Sequence, residues 1–272
     1  MAFQDGLSSF LTTWSGVHTA YSFNQTGANT GTDSAHDANS SSYAQADTEN
    51  YPNYGLSAYC APSNGCDYDI YTTTDVAFLL YIPTDLATGT YGLFHNGGGR
   101  NAQIGWIRSQ SNGTTVELGI SHNASGTNQD YDTVTITERG WVCVGFQFED
   151  NSGNMGIWVN GSNVTEVARD YALLYGSGNP YVGRENGDDI PGWGSGSTID
   201  SSGLIIVNFV ADNPNNDNTA PAGCGDDFYT DYYDEHYVTS VADCDIDLAD
   251  SISLTFDIDS QGGDLPINTY EL

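Results

Sequence analysis

Apolar positions recur along this chain in two rhythms. Over residues 4–14, Leu7, Phe10, Leu11 and Trp14 fall at helical spacing and predict one short amphipathic helix at the start, the only significant one expected. From there, short β-branched and aromatic runs alternate with clusters of Gly, Asn, Ser and Asp, the pattern of many strands joined by turns. The runs predict strands over 20–23, 68–71, 76–81, 91–95, 103–108, 115–120, 133–136, 141–148, 155–159, 181–182, 199–210 and 251–256. In Val76-Ala77-Phe78-Leu79-Leu80-Tyr81 the apolar run is continuous, which predicts a strand buried on both faces. Met155-Gly156-Ile157-Trp158-Val159 runs into Asn160-Gly161, a hairpin-turn dipeptide, so an antiparallel meander is expected. Residues 24–50 and 212–227 are polar and read as long loops.

A length of 272 residues suits one main all-β domain with long loops. The hydrophobic fraction is only 38%, but 18 Tyr, 10 Phe and 5 Trp supply the large apolar side chains that a disordered chain lacks. Charge changes the picture more. Acidic residues number 36 against 5 basic ones, all Arg (Arg100, Arg108, Arg139, Arg169, Arg184), and there is no Lys. A net charge of −31 repels itself in dilute buffer, whereas in molar salt the Debye length falls to about 3 Å and the repulsion is screened. A halophilic source follows as the expectation, with an acidic marine protein as the alternative. With no basic patch to displace counterions, nucleic-acid binding is not expected. No run of apolar residues is long enough to span a bilayer. Met1-Ala2-Phe3-Gln4-Asp5 does not read as a secretory signal.

Five cysteines leave an odd one. Cys143 lies in Trp141-Val142-Cys143-Val144-Gly145-Phe146, which reads as a buried strand and predicts a reduced packing residue. Cys60 and Cys66 bracket a turn-rich pentapeptide, and Cys224 and Cys244 bracket an acidic Tyr-rich segment. These are disulfide candidates whose connectivity the sequence leaves open.

The order of strands and turns resembles the laminin-G-like branch of the concanavalin A-like lectin and glucanase superfamily. The residues that carry the likeness are Arg139-Gly140-Trp141-Val142-Cys143-Val144-Gly145-Phe146-Gln147-Phe148-Glu149-Asp150, followed by Gly156-Ile157-Trp158-Val159-Asn160-Gly161. Upstream, Val17-His18-Thr19-Ala20-Tyr21-Ser22-Phe23-Asn24 is similar to the family's opening strand. Downstream, Tyr181-Val182-Gly183-Arg184 and Gly192-Trp193-Gly194 through Ile199-Asp200 are similar to its ending. A Glu-Val-Arg usually follows that Ile-Asp, whereas here Ser201-Ser202-Gly203-Leu204 follows. The resemblance implies an antiparallel two-sheet jelly-roll sandwich over 17–211. A helix or arm (1–16) would precede it, and an acidic Tyr-rich loop (212–244) and a C-terminal strand and tail (245–272) would follow.

Glucanases on this fold present paired carboxylates from one strand face as E-x-D-x-E, and no such stretch exists here. No G-x-S-x-G accompanies the histidines either, so a non-enzyme is expected. Calcium is the metal the resemblance implies, and Asp226, Asp227, Asp231, Asp234 and Glu235 form the densest acidic group. Glycan binding needs an exposed aromatic face flanked by polar groups, which selects His95, Arg100, Asn101 and Trp106 in and beside a Gly-rich stretch. Trp193 leads the set because Gly on both sides favours an exposed turn; the competing reading is a Trp plugging one end of the sandwich. Trp141 and Trp158 read as core. A lectin-like sandwich with this composition and no leader points to a virion structural protein of a haloarchaeal or marine tailed virus, assembled in the host cytoplasm and carried on the virion surface. Its expected position is capsid decoration, turret or tail. Its expected partners are other virion proteins, itself as a homo-oligomer, and host surface glycans. The alternatives are a soluble carbohydrate-binding or glucanase-like protein of a halophilic cell, and a purely structural oligomeric module.

Overall fold

The β-branched and aromatic runs become strands wherever one side of them finds a core. The computed structural model describes residues 2–3, 6–14, 19–22, 30–31, 38–40, 43–44, 55–56, 60–62, 74–98, 101–110, 115–124, 128–149, 153–168, 170, 181–183, 189–190, 194–195, 199, 202–212 and 226–238. The first elements are β1 (Ala2–Phe3), α1 (Leu7–Thr13), β2 (Thr19–Ser22), β3 (Thr30–Gly31), β4 (Ala38–Ser40), β5 (Tyr43–Ala44), β6 (Gly55–Leu56) and β7 (Cys60–Pro62). The long strands are β8 (Thr74–Ile82), β9 (Gly89–Gly98), β10 (Asn101–Ser109), β11 (Val116–Ala124), β12 (Asn128–Ile136), β13 (Gly140–Phe148), β14 (Asn154–Val159) and β15 (Ser162–Ala168). The remainder are β16 (Tyr181–Val182), β17 (Asp189–Ile190), β18 (Gly194–Ser195), β19 (Ile205–Asp212), α2 (Asp226–His236) and β20 (Tyr237–Val238).

Two antiparallel sheets form an all-β sandwich. One runs β12-β11-β10-β9-β16-β7-β4, the other β15-β14-β13-β8-β19-β2-β3, with β6 joined to β19 and β5 to β6. Alternation sends Val142, Val144, Phe146 and Phe148 of β13 inward, where they meet Val116, Leu118 and Ile120 of β11 and Leu93 and Phe94 of β9. The continuous run of β8 is buried on both faces as its sequence predicts: Val76, Phe78 and Leu80 enter the core between the sheets, and Ala77 and Leu79 a second core outside them. Between β14 and β15, Asn160 (φ 49°) and Gly161 (φ 74°) both adopt the left-handed conformations that a two-residue hairpin turn requires.

That second core sits under α1 and α2. Leu7 and Phe10 of α1 and Phe228, Tyr229 and Tyr232 of α2 pack on Trp141, Cys143 and Trp158. The expectation of a single helix and of an acidic Tyr-rich loop is thereby corrected. Within that loop, Phe228, Tyr229, Tyr232 and His236 share one helical face and are buried, so packing on the sheet converts the segment into α2. Similarly, β3, β4 and β5 interrupt the long loop expected over 24–50. Residues 1–238 form one compact unit. Residues 239–272 lie outside the described residues, and with them the strand expected over 251–256; the strand expected over 68–71 lies outside them too.

Candidate binding face

Each sheet has an outward side. On the β15–β3 sheet it is filled by the helices. Gly145 leaves room for Tyr229: a Cβ there would stand 2.3 Å from the ring. Tyr229 stacks on Trp158 with centroids 4.5 Å apart and planes 9° from parallel. Its hydroxyl donates to Asp75 Oδ1 at 2.8 Å and lies 3.0 Å from the Phe146 carbonyl oxygen, and Gln147 Nε2 donates to the same Asp75 oxygen at 2.9 Å. Farther along, the Tyr232 hydroxyl donates to Asn208 Oδ1. Asn208 Nδ2 faces His236 Nε2 at 2.9 Å, and His236 Nδ1 faces the Tyr232 carbonyl at 2.6 Å. Since both neighbours fix the roles, Nδ1 carries the proton and Nε2 accepts. Trp14 Nε1 donates to Asp231 Oδ2 at 3.0 Å, tying α1 to α2.

The outward side of the other sheet is built by register. Tyr131 of β12 pairs with Ser121 of β11, Ser121 with Ile104 of β10, and Ile104 with His95 of β9. One step along, Thr133, Gly119 and Trp106 form the adjacent row, and Glu117 and Arg108 the next. Trp106 lies flat over Gly119, where a Cβ would stand 2.1 Å from the indole. Arg108 Nη2 and Glu117 Oε1 are 2.7 Å apart. The row crosses from outside to inside: Tyr131 on the edge strand is 56% exposed, whereas Ser121 and Trp106 are buried. Trp106 Nε1 and Ser121 Oγ are both buried without a hydrogen-bond partner. A buried polar atom left so costs about 1–3 kcal/mol. On the inward side of the same strands, Gln103, His122 and Asp130 form one cross-strand row and are buried.

His95 and Trp106 were selected from sequence as members of an exposed Gly-rich stretch. That setting is corrected, because both are strand residues and both are buried. They nonetheless lie on one face in neighbouring rows. Asn101 opens β10 opposite Gly98, while Arg100 and Trp193 lie outside the described residues. Trp141 and Trp158 are buried, under the helices rather than between the sheets. The acids Asp226, Asp227, Asp231, Asp234 and Glu235 all fall within α2, where Asp227, Asp231 and Asp234 recur at i, i+4 and i+7 on the side away from buried Phe228, Tyr229, Tyr232 and His236. Among the described residues no three His, Cys, Asp or Glu converge to hold a metal ion. Cys143 is a free thiol, buried in β13 as expected, and burial pushes its pKa well up. Cys60 lies in β7; pairing of Cys60, Cys66, Cys224 and Cys244 falls outside the described residues. Sequence reasoning missed Tyr131 and Ser121. The signal was the alternation Glu117-Leu118-Gly119-Ile120-Ser121, which puts Glu117, Gly119 and Ser121 on one face.

No family matches this sequence, and no curated protein does. Solved structures share its fold. The structure described as the "HCR/D W1238A mutant" aligns with a TM-score of 0.53 at 14% identity, over 80% of this chain and 53% of that one. The receptor-binding domain of a botulinum neurotoxin mosaic serotype C/D, solved with tetraethylene glycol, aligns with a TM-score of 0.52 at 14% identity over 80% and 50%. The botulinum neurotoxin serotype D binding domain gives 0.50 at 16% identity over 81% and 52%. The chain thus spans about half the length of these neighbours, and what it shares with them is the two-sheet sandwich.

Proposed function

We propose that this chain is a non-catalytic binding sandwich carried on the surface of a virion, where it adheres to host surface glycans and contacts other virion proteins, including copies of itself. The observation that carries the binding half of this reading is the two-sheet sandwich itself, with the aromatic Tyr131 exposed on the edge strand of its outward face. The neighbours' description as receptor-binding domains supports the same reading. Absence of Lys and a net charge of −31 support a particle that works in brine.

The test is a glycan array probed with the full chain in molar NaCl, beside immunogold labelling of particles from a lysed halophilic host. Selective retention on the array and gold on the particles are the expected results. Hydrolysis of a β-glucan, or cellular rather than particle labelling, overturns the reading. Exchange of brine for dilute buffer is expected to lower the melting temperature; an unchanged value removes the halophile argument.

A further inference from the structure

We infer that the outer edge of β12 is the surface on which a second copy of this chain pairs, antiparallel and about a two-fold axis through Thr133. The inference deepens the self-contact in the proposed function and rests on it. A strand at the end of a sheet turns every second backbone N–H and C=O outward, so native sheets blunt their ends with short strands, bulges or charge. Among the described residues the two sheets end on β3, β4, β12 and β15. β3 is two residues long and β4 three. β15 is bulged at Val164, since Thr165 faces Ile157 while Asn163 faces Trp158, and it carries the exposed Glu166. β12 has none of these devices: its nine residues pair with β11 without a register shift and include no Pro.

Solvent reaches this strand from both sides. Tyr131, Thr133 and Thr135 on the outward side are exposed, and Asp132 and Val134 on the inward side are partly so. The outward row is uncharged, in a chain with 36 acidic residues. The strand's two carboxylates lie on the inward side and are engaged. Asp130 Oδ1 accepts the Asp170 N–H at 3.1 Å. Asp132 accepts the Thr165 hydroxyl of β15 and, at 2.8 Å, the N–H of Thr133. A partner strand's carbonyl can take the place of that last acceptor.

Register identifies the occupant. Directly opposed residues share a face, so the two-fold axis of a self-paired strand passes through a residue. Centred on Tyr131 or Asp132, the pairing sets two aspartates against each other. Centred on Val134 or Thr135, it sets Asp130 or Asp132 against Glu138. Centred on Thr133, it opposes Asp130 to Ile136, Tyr131 to Thr135, Asp132 to Val134 and Thr133 to its own copy. No like charges meet there, and the outward pairs are aromatic with β-branched and Thr with Thr, both of which stabilise antiparallel strands. The strand is complementary to itself in this one register, and molar salt screens the net charge of −31 on each copy.

The experiment weighs the full chain by light scattering in molar NaCl and maps the contact by cysteine cross-linking. The parent is expected to be a concentration-dependent dimer. Thr133→Cys sets two thiols on opposed residues, with Cα atoms about 4.5–5.5 Å apart and within disulfide reach. Thr135→Cys leaves its two thiols four residues apart along the strands, about 13 Å. Under mild oxidation Thr133→Cys is therefore expected to give covalent dimer at least about tenfold faster than Thr135→Cys or the parent. Thr133→Asp changes an exposed side chain and sets like charges on the axis, so it is expected to weaken dimerisation about tenfold while the circular dichroism stays that of the parent. Full dimer affinity in Thr133→Asp, or equal cross-linking of the two cysteine variants, moves the interface elsewhere and leaves self-association standing. A monomeric parent removes the edge and the self-contact of the proposed function together, whatever the array shows for glycans.

Discussion

On each outward face of the sandwich an aromatic ring lies against a glycine: Tyr229 against Gly145 and Trp106 against Gly119. The steric device is the same, and the polar outcome is opposite. Tyr229 delivers its hydroxyl to Asp75, which also receives Gln147. Trp106 delivers its indole N–H to nothing, and Ser121 beside it is in the same position. The helical face has one such atom among the described residues, Trp158 Nε1, on a ring already stacked against Tyr229. A ring over a glycine is thus no mark of a site. What separates the two faces is whether the chain itself supplies the partners.

The largest effect should come from removing the ring that docks α2. Tyr229→Ala deletes a buried aromatic side chain and one donor to Asp75, so it is expected to cost about 3–5 kcal/mol, read from urea unfolding in molar NaCl. A cost below about 1 kcal/mol would mean that α2 is not held by this ring. Next come the glycines. Gly145→Ala and Gly119→Ala each force a ring aside and are expected to cost about 1–3 kcal/mol. Gly145→Ala should be the more costly, because displacing Tyr229 also stretches its bond to Asp75. Gly119→Ala should instead shift the emission of Trp106. An equal cost at both positions, with no change of emission, would erase the distinction between the faces.

The sequence displayed one of these faces better than the other. Strands whose apolar residues recur in long runs were legible because burial itself writes the pattern: 76–81 became Thr74–Ile82, and 141–148 became Gly140–Phe148. The Asn160-Gly161 turn was legible because left-handed conformations demand those residues. The helix Asp226–His236 was not, because its acids and aromatics look like a solvated loop until a sheet buries one side. The candidate site was half legible for a related reason. Trp106 and His95 stand out by chemistry, whereas Ser121 and Tyr131 acquire meaning only from the register that sets them in one row. Register is a property of pairing between strands, and no single strand's sequence contains it.

Cys143 sharpens the comparison through pH, since it lies under α2 on the helical face. Burial raises its pKa in the folded chain, so above the ordinary thiol value the unfolded chain releases a proton that the native one keeps. The contribution is present in full below that ordinary value and is lost as pH climbs through the folded one. From this group alone stability falls by no more than about 1.4 kcal/mol per pH unit. Cys143→Ala is expected to flatten the alkaline decline of the urea midpoint. A decline of the same slope would show that the thiol reaches water and that α2 does not seal it.

The smallest effect is the most diagnostic, because it reverses sign between the faces. Tyr229→Phe removes a hydroxyl that a buried carboxylate uses, so Asp75 loses a donor and stability should fall by about 1–2 kcal/mol. Ser121→Ala removes a hydroxyl that is buried without a partner, so nothing made in the free protein is lost and one uncompensated desolvation disappears. Its stability should hold or rise by up to about 1 kcal/mol. Both substitutions delete one oxygen from a buried side chain, so the difference between them reports hydrogen bonding rather than volume. Urea midpoints of the two variants, measured side by side in molar NaCl without added sugar, decide the matter. If Ser121→Ala loses as much as Tyr229→Phe, its hydroxyl already has a partner in the free chain, and the two faces do not differ in how their buried hydroxyls are satisfied.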